Sequence, residues 1–167
     1  MPPDPAEALL PLDSMELDVG YGLIPLVDTA QDGELLQRIK TFRRQFAQDM
    51  GFILPAVHIR DNLLLKPSEY VLKIKGSEVA RGEVVMDHYL VIAPEEGLGI
   101  KGIPTTEPAF GLPAVWVTEA EKEILQNQGI VVVDPATVIM THITEIVNSH
   151  TGEPLGRPDG KILLNTL

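Results

Sequence analysis

Arg44-Gln-Phe-Ala-Gln-Asp-Met-Gly-Phe-Ile-Leu-Pro-Ala-Val-His-Ile-Arg-Asp-Asn62 changes its apolar period partway along. Its first half completes a helical face. Leu35, Ile39, Phe42, Phe46 and Met50 recur at spacings of four, three, four and four, which places them on one side of an α-helix. Asp32 is the expected N-cap, Arg43 and Arg44 fall in the later turns, and Gly51 supplies the stop. In the second half Val57 and Ile59 alternate with His58 and Arg60, the period of a strand with one wet face. Helix, glycine stop and strand in so short a span point to an α/β chain.

Reading outward, residues 1–16 hold four prolines, at 2, 3, 5 and 11, and no period. They read as a linker. Apolar residues from Glu16 to Val27 lack helical spacing, so a strand is expected there, ending at Pro25. Downstream, Tyr70, Leu72 and Ile74 alternate with Val71, Lys73 and Lys75. Gly76-Ser77 turns the chain into a strand over 78–86, and another is expected over 88–93. Residues 94–114 are rich in proline and glycine and read as mostly irregular. A helix is expected at about 119–128, with Thr118 as N-cap and Gly129 as stop. Ile130–Val133 reads as a buried apolar strand. Asp134-Pro135 starts a last helix, with proline in its first turn, and Val138, Ile139, His142, Ile143, Ile146 and Val147 follow at helical spacing. The order predicts an α/β (α+β) fold with a mixed sheet.

The chain of 167 residues has a net charge of −11 and no cysteine. Disulfide and thiolate chemistry are thereby excluded. The charge is uneven. Residues 1–37 carry eight acids and no Lys or Arg; residues 38–81 carry nine bases and four acids; residues 82–167 carry four bases and twelve acids. Such acidity argues against nucleic acid as a partner. No apolar run approaches the ~18 residues that span a bilayer, and Met1–Glu7 lacks the basic and apolar regions of a signal peptide.

Motifs with chemistry are few. Gly97-Leu-Gly-Ile-Lys-Gly102 matches a dinucleotide-binding pattern, but Pro104 and Pro108 deny it the helix whose N-terminus would face the pyrophosphate. Gly156–Lys161 is one residue short of a phosphate-binding loop. His58, His88, His142 and His150 form no metal-ligand spacing. No catalytic constellation stands out, so no enzyme, cofactor or metal is expected. Glu107-Pro-Ala-Phe-Gly-Leu-Pro-Ala-Val-Trp116 is different. Its prolines stiffen a loop carrying two aromatics, which a recognition surface needs. Trp116, between Val115 and Val117, reads as core; Phe110 reads equally well as an anchor or as a contact.

Together with Val19-Gly-Tyr-Gly-Leu-Ile-Pro25 and Glu107–Pro113, the opening stretch resembles the cytoplasmic region of the large export-gate protein of bacterial flagellar and type III secretion systems, the FlhA family. The resemblance runs from about Leu12 to His150. In that family membrane helices and a linker precede four cytoplasmic subdomains. The resemblance implies a linker at 1–11, a first subdomain at 12–85 and 135–152, a small second one inserted at 86–134, and an atypical tail at 153–167. There, Pro154, Pro158 and Gly160 interrupt the helix the family continues.

The resemblance also implies a docking platform at the cytoplasmic side of the inner membrane. It would receive chaperone–export substrate complexes and other export-apparatus proteins. Family members are membrane-embedded and form nine-membered rings; this stretch alone is expected to be a monomer or weak oligomer. The family's docking hollow uses an acid and a phenylalanine of a D-P-A-F-G motif and a threonine of an A-T-H segment. These match Glu107, Phe110 and Thr141, with Glu for Asp and Met140 for Ala. The alternatives are a mainly structural role in supporting the gate or, in another class, a small α/β enzyme using His58 or His142 beside a buried carboxylate.

Overall fold

The computed structural model describes residues 14–28, 30, 33–51, 53–92 and 99–150. The expected linker, the Asp32 cap, the first two residues of the glycine pattern, and the tail with its phosphate-loop-like run lie outside these. Two four-stranded sheets carry the fold, a mixed α/β architecture as expected. The first sheet contains β1 (Met15–Val19), β2 (Val57–Asp61), β3 (Glu69–Ile74) and β4 (Ser77–Glu83), in the order β2-β1-β3-β4. β1 runs parallel to β2 and antiparallel to β3. A parallel pair needs a crossover, and the chain supplies it as α1 (Ile24–Val27) and α2 (Glu34–Met50).

α2 forms where its apolar period predicts. Leu35, Ile39 and Phe46 are buried, and the rings of Phe42 and Phe46 lie 6.0 Å apart. Gly51, at φ 85°, closes the helix by donating its N–H to the Ala47 carbonyl. The segment after β1 differs from expectation. Residues 21–27 are a 3-10 turn followed by α1, not a strand. Pro25 sits in the first turn of α1, where its missing N–H costs nothing.

The second sheet contains β5 (Tyr89–Ile92), β6 (Ile103–Thr106), β7 (Pro113–Val117) and β8 (Val132–Val133), all antiparallel, in the order β6-β7-β5-β8. β6 and the start of β7 occupy a stretch expected to be irregular. Their prolines fit because β6 is an edge strand and Pro113 opens β7, positions where a missing donor is tolerated. Ile130–Val133 is also corrected. Only its last two residues pair, and Val131 is 77% exposed, because alternation turns it away from the neighbours that hold Ile130 and Val132.

α3 (Glu119–Asn127) is capped by Thr118, whose hydroxyl accepts the Glu121 N–H. It covers one face of the second sheet, with Leu125 against Val91 and Val117. The other face, with Leu90, Ala114 and Trp116, joins the main core. There it meets Leu17 and Val19 of β1, Leu72 of β3, and Ile139 and Ile143 of α4 (Pro135–His150). Asp134 caps α4 by accepting the Thr137 N–H at 3.0 Å. Arg38 of α2 bonds both Thr137 and Asp134, so it fastens the two long helices together.

The strand around Val57 and Ile59 was expected to have one wet face; beside it on β1, Asp18 is fully buried. Three donors enclose it: Asn62 Nδ2 at 3.0 Å, Lys73 Nζ at 3.1 Å and Arg60 Nε at 3.3 Å. A buried charge needs such partners. Burial pushes the Asp18 carboxyl up, but hydrogen bonds with Glu16, Asn62 and Lys73 outweigh it and hold it below its ordinary value. Its hydrogen bond with Asp18 pushes Glu16 up, helped by burial and the Asp18 charge. As pH falls, Glu16 therefore takes up its proton before Asp18 does.

Candidate docking site

The turn between β6 and β7 shapes itself. Glu107 donates its N–H to the Leu112 carbonyl at 2.7 Å, and Gly111 donates to the Glu107 carbonyl at 2.8 Å. The Glu107 side chain, 5% exposed, folds back over the turn. One carboxylate oxygen accepts the Ala109 N–H at 3.1 Å and the other the Phe110 N–H at 2.7 Å. A carboxylate that accepts two backbone donors is a strong local clamp. Gly111 supplies the left-handed residue, at φ 72°.

Phe110 is carried outward by this turn and is 49% exposed. Leu112 beside it is also exposed. The turn borders a groove of about 570 Å³ between β4 and β6, lined among others by Arg81, Gly82, Thr106, Glu107 and Pro108. Arg81 is held by Glu78 and Glu69, which leaves the groove with little free positive charge. A second groove of about 570 Å³ runs between α2 and α4, with Phe42 and Met140 among its walls.

The expected site residues thus take different parts. Glu107 and Phe110 are brought together by the clamp. Thr141 is half-buried on α4, and its hydroxyl donates to the Thr137 carbonyl at 2.9 Å within its own helix. Its neighbour His142 faces inward and bonds Tyr70. His58 lies exposed on β2. Tyr70 and Gly82 were not singled out for the site from sequence. His142 was named for a site there only in the enzyme alternative, and nothing local pairs it with Tyr70, 72 residues earlier.

The comparisons with known proteins agree with this architecture. The chain matches the FHIPEP family over residues 2–167. It is 51% identical over 167 residues to the flagellar biosynthesis protein FlhA of Bacillus subtilis, covering 99% of this chain and 24% of that protein. The chain therefore spans about a quarter of the length of this relative. Among solved structures, a cytoplasmic domain of Salmonella InvA superposes with a TM-score of 0.61 at 26% identity, over 92% of this chain and 89% of that one. The Chlamydia pneumoniae CdsV protein shares the fold at a TM-score of 0.72 and 24% identity, over 93% of this chain and 47% of that one. Among the described residues no helix is long and apolar enough to cross a membrane. With its family match running nearly end to end and its fold recurring in these domains, the chain belongs to the FHIPEP family.

Proposed function

We propose that this region is a docking surface on the cytoplasmic part of a flagellar protein-export gate, and that it receives chaperone–export substrate complexes. The carrying observation is Phe110, half-exposed on a turn that its own Glu107 carboxylate holds in one shape. An exposed aromatic on a pre-shaped turn loses little freedom on binding, so its apolar contact converts efficiently into affinity. The adjoining groove, and the one beside Met140, suit an amphipathic helix with an apolar face and polar edges. Phe110 is the contact residue in this reading, Glu107 shapes its turn, and Thr141 marks the α4 side of the site. We further propose that residues 86–134 act as a unit inserted between 12–85 and 135–152, so that docking straddles the two sheets. The whole protein would be membrane-embedded, ring-forming and in contact with other export-apparatus proteins.

Calorimetry of the full chain with a purified flagellar chaperone bound to its late export substrate tests the reading. Micromolar binding is expected, and Phe110→Ala should abolish it while leaving the fold intact. Binding that survives Phe110→Ala, or a folded chain that binds no such complex, would sink the proposal.

A further inference from the structure

Behind Gly82 the Tyr70 hydroxyl meets His142 Nδ1 at 2.6 Å. The two rings pack edge to face with centroids 5.8 Å apart, and both side chains are buried. The pair adjoins the docking turn. A Cβ built on Gly82 would lie 2.6 Å from the Tyr70 hydroxyl and 3.0 Å from Pro108 Cβ. The ring of β3, the backbone of β4 and the turn are therefore in contact, with no room for a side chain between them. Glu107 lines one groove with Gly82 and Pro108, which sets its charge on the same side as the pair. Burial pushes His142 down, and the Glu107 charge opposes this only in part. Burial, then the Glu107 charge, hold Tyr70 well above the usual phenol range.

We propose that Tyr70 and His142 are positioning residues for the docking turn, and that protonation of His142 releases the turn from its docking shape. The neutral imidazole has one lone pair, and at Nδ1 it accepts the Tyr70 hydroxyl proton, which leaves the ring proton on Nε2. The imidazolium has no lone pair. Its Nδ1–H must donate to the Tyr70 oxygen, and the hydroxyl proton then needs another acceptor. A charged acceptor on the adjoining turn is the Glu107 carboxylate, which lines one groove with Gly82 and Pro108; Tyr70, from β3, is the other titratable group beside the imidazole. Glu107 already accepts from Ala109 and Phe110. Attraction to the new cation and to the freed hydroxyl draws the carboxylate off those amides. The turn opens and Phe110 is no longer presented.

The consequence for docking rests on the function proposed above; the coupling within the turn does not. The test is a pair of measurements on the full chain from about pH 7.5 down to about pH 4.5, past the ordinary imidazole range because burial lowers His142. Amide resonances of Ala109 and Phe110, read by NMR, should shift with the midpoint of the His142 ring. Affinity for the chaperone–substrate complex, read by calorimetry, should fall about tenfold over the same range, the worth of one charged-group hydrogen bond. In His142→Asn the side chain can still accept from Tyr70 but takes no proton, so the ratio of affinities at the two pH values should drop to about one. Tyr70→Phe provides a second variant if the first does not fold; its Ala109 and Phe110 resonances at the higher pH should move toward the acid positions of the unsubstituted chain. Resonances that titrate without regard to His142, or that are unchanged in both variants, overturn the inference. Resonances that follow His142 in a chain that binds no complex at either pH uphold the coupling and overturn the docking reading instead.

Discussion

Phe110 leaves 49% of its surface open on the β6–β7 turn, whereas Trp116, six residues on in β7, leaves 2%. Truncation should separate the two. Trp116→Ala opens a cavity in the main core and should cost ~3–5 kcal/mol in denaturant unfolding. Phe110→Ala should change stability by less than about 0.5 kcal/mol, so a loss of docking in that variant reports contact, not collapse. The burial of Trp116 was legible from its valine neighbours. The exposure of Phe110 was not, because a stiff loop can turn an aromatic either way and the choice is made by the Glu107 clamp. The stiff loop left anchor and contact equally open for it, and the resemblance to a family favoured the contact. Tyr70 and His142 carried no sign of each other, since alternation and helical period report a face and never a partner.

At the scale of the element, β1 presents Met15, Leu17 and Val19 to the core and Glu16 and Asp18 to the opposite face. The two acids bend stability in opposite directions with pH. The folded value of Asp18 lies below its ordinary 3.8. Its contribution is therefore present above that pH and is lost as acid takes the pH down through the folded value. The folded value of Glu16 lies above its ordinary 4.5, so its contribution is present below that pH and disappears as pH rises through the raised value. Glu16→Gln should accordingly stabilise the chain near neutrality, by about 0.5 kcal/mol for so partly screened a group. Urea melts should show that gain shrinking as the pH falls through the raised value and gone below 4.5. Asp18→Asn should cost about 3 kcal/mol at neutral pH, because Lys73 and Arg60 lose their buried partner. The elements with strong local signals were legible: α2 with its Gly51 stop, α3 with its Thr118 cap, α4 with its Asp134-Pro135 start. β6 and β7 were hidden because Pro104 and Pro113 read as breakers until an edge and a strand start are known. Residues 21–27 misled for the converse reason, since Gly20, Gly22 and Pro25 end a strand as readily as they open a helical turn.

For the molecule as a whole, the decisive fact is that Leu90, Ala114 and Trp116 of the second sheet share one core with β1, β3 and α4. Two sheets with a common interior should melt together. Trp116 is the sole tryptophan and reports on the second sheet, while far-UV circular dichroism reports on all the elements. Their thermal transitions should coincide; a separate, earlier fluorescence change would show that the second sheet unfolds alone. This sharing was only half legible. A small unit within a larger one was implied only by the resemblance to a family, and which face of the second sheet meets the first depends on packing across many residues.

The β6–β7 turn draws its shape from its own Glu107, through bonds that begin and end between residues 107 and 112. Such a segment is portable. Exchanged whole between related chains, it would bring most of its scaffold along and ask of its host the space where Gly82 stands and the Tyr70–His142 pair behind it. Drift in the surrounding sheets could then proceed without erasing the recognition feature, and specificity could be rewritten there in a handful of consecutive codons.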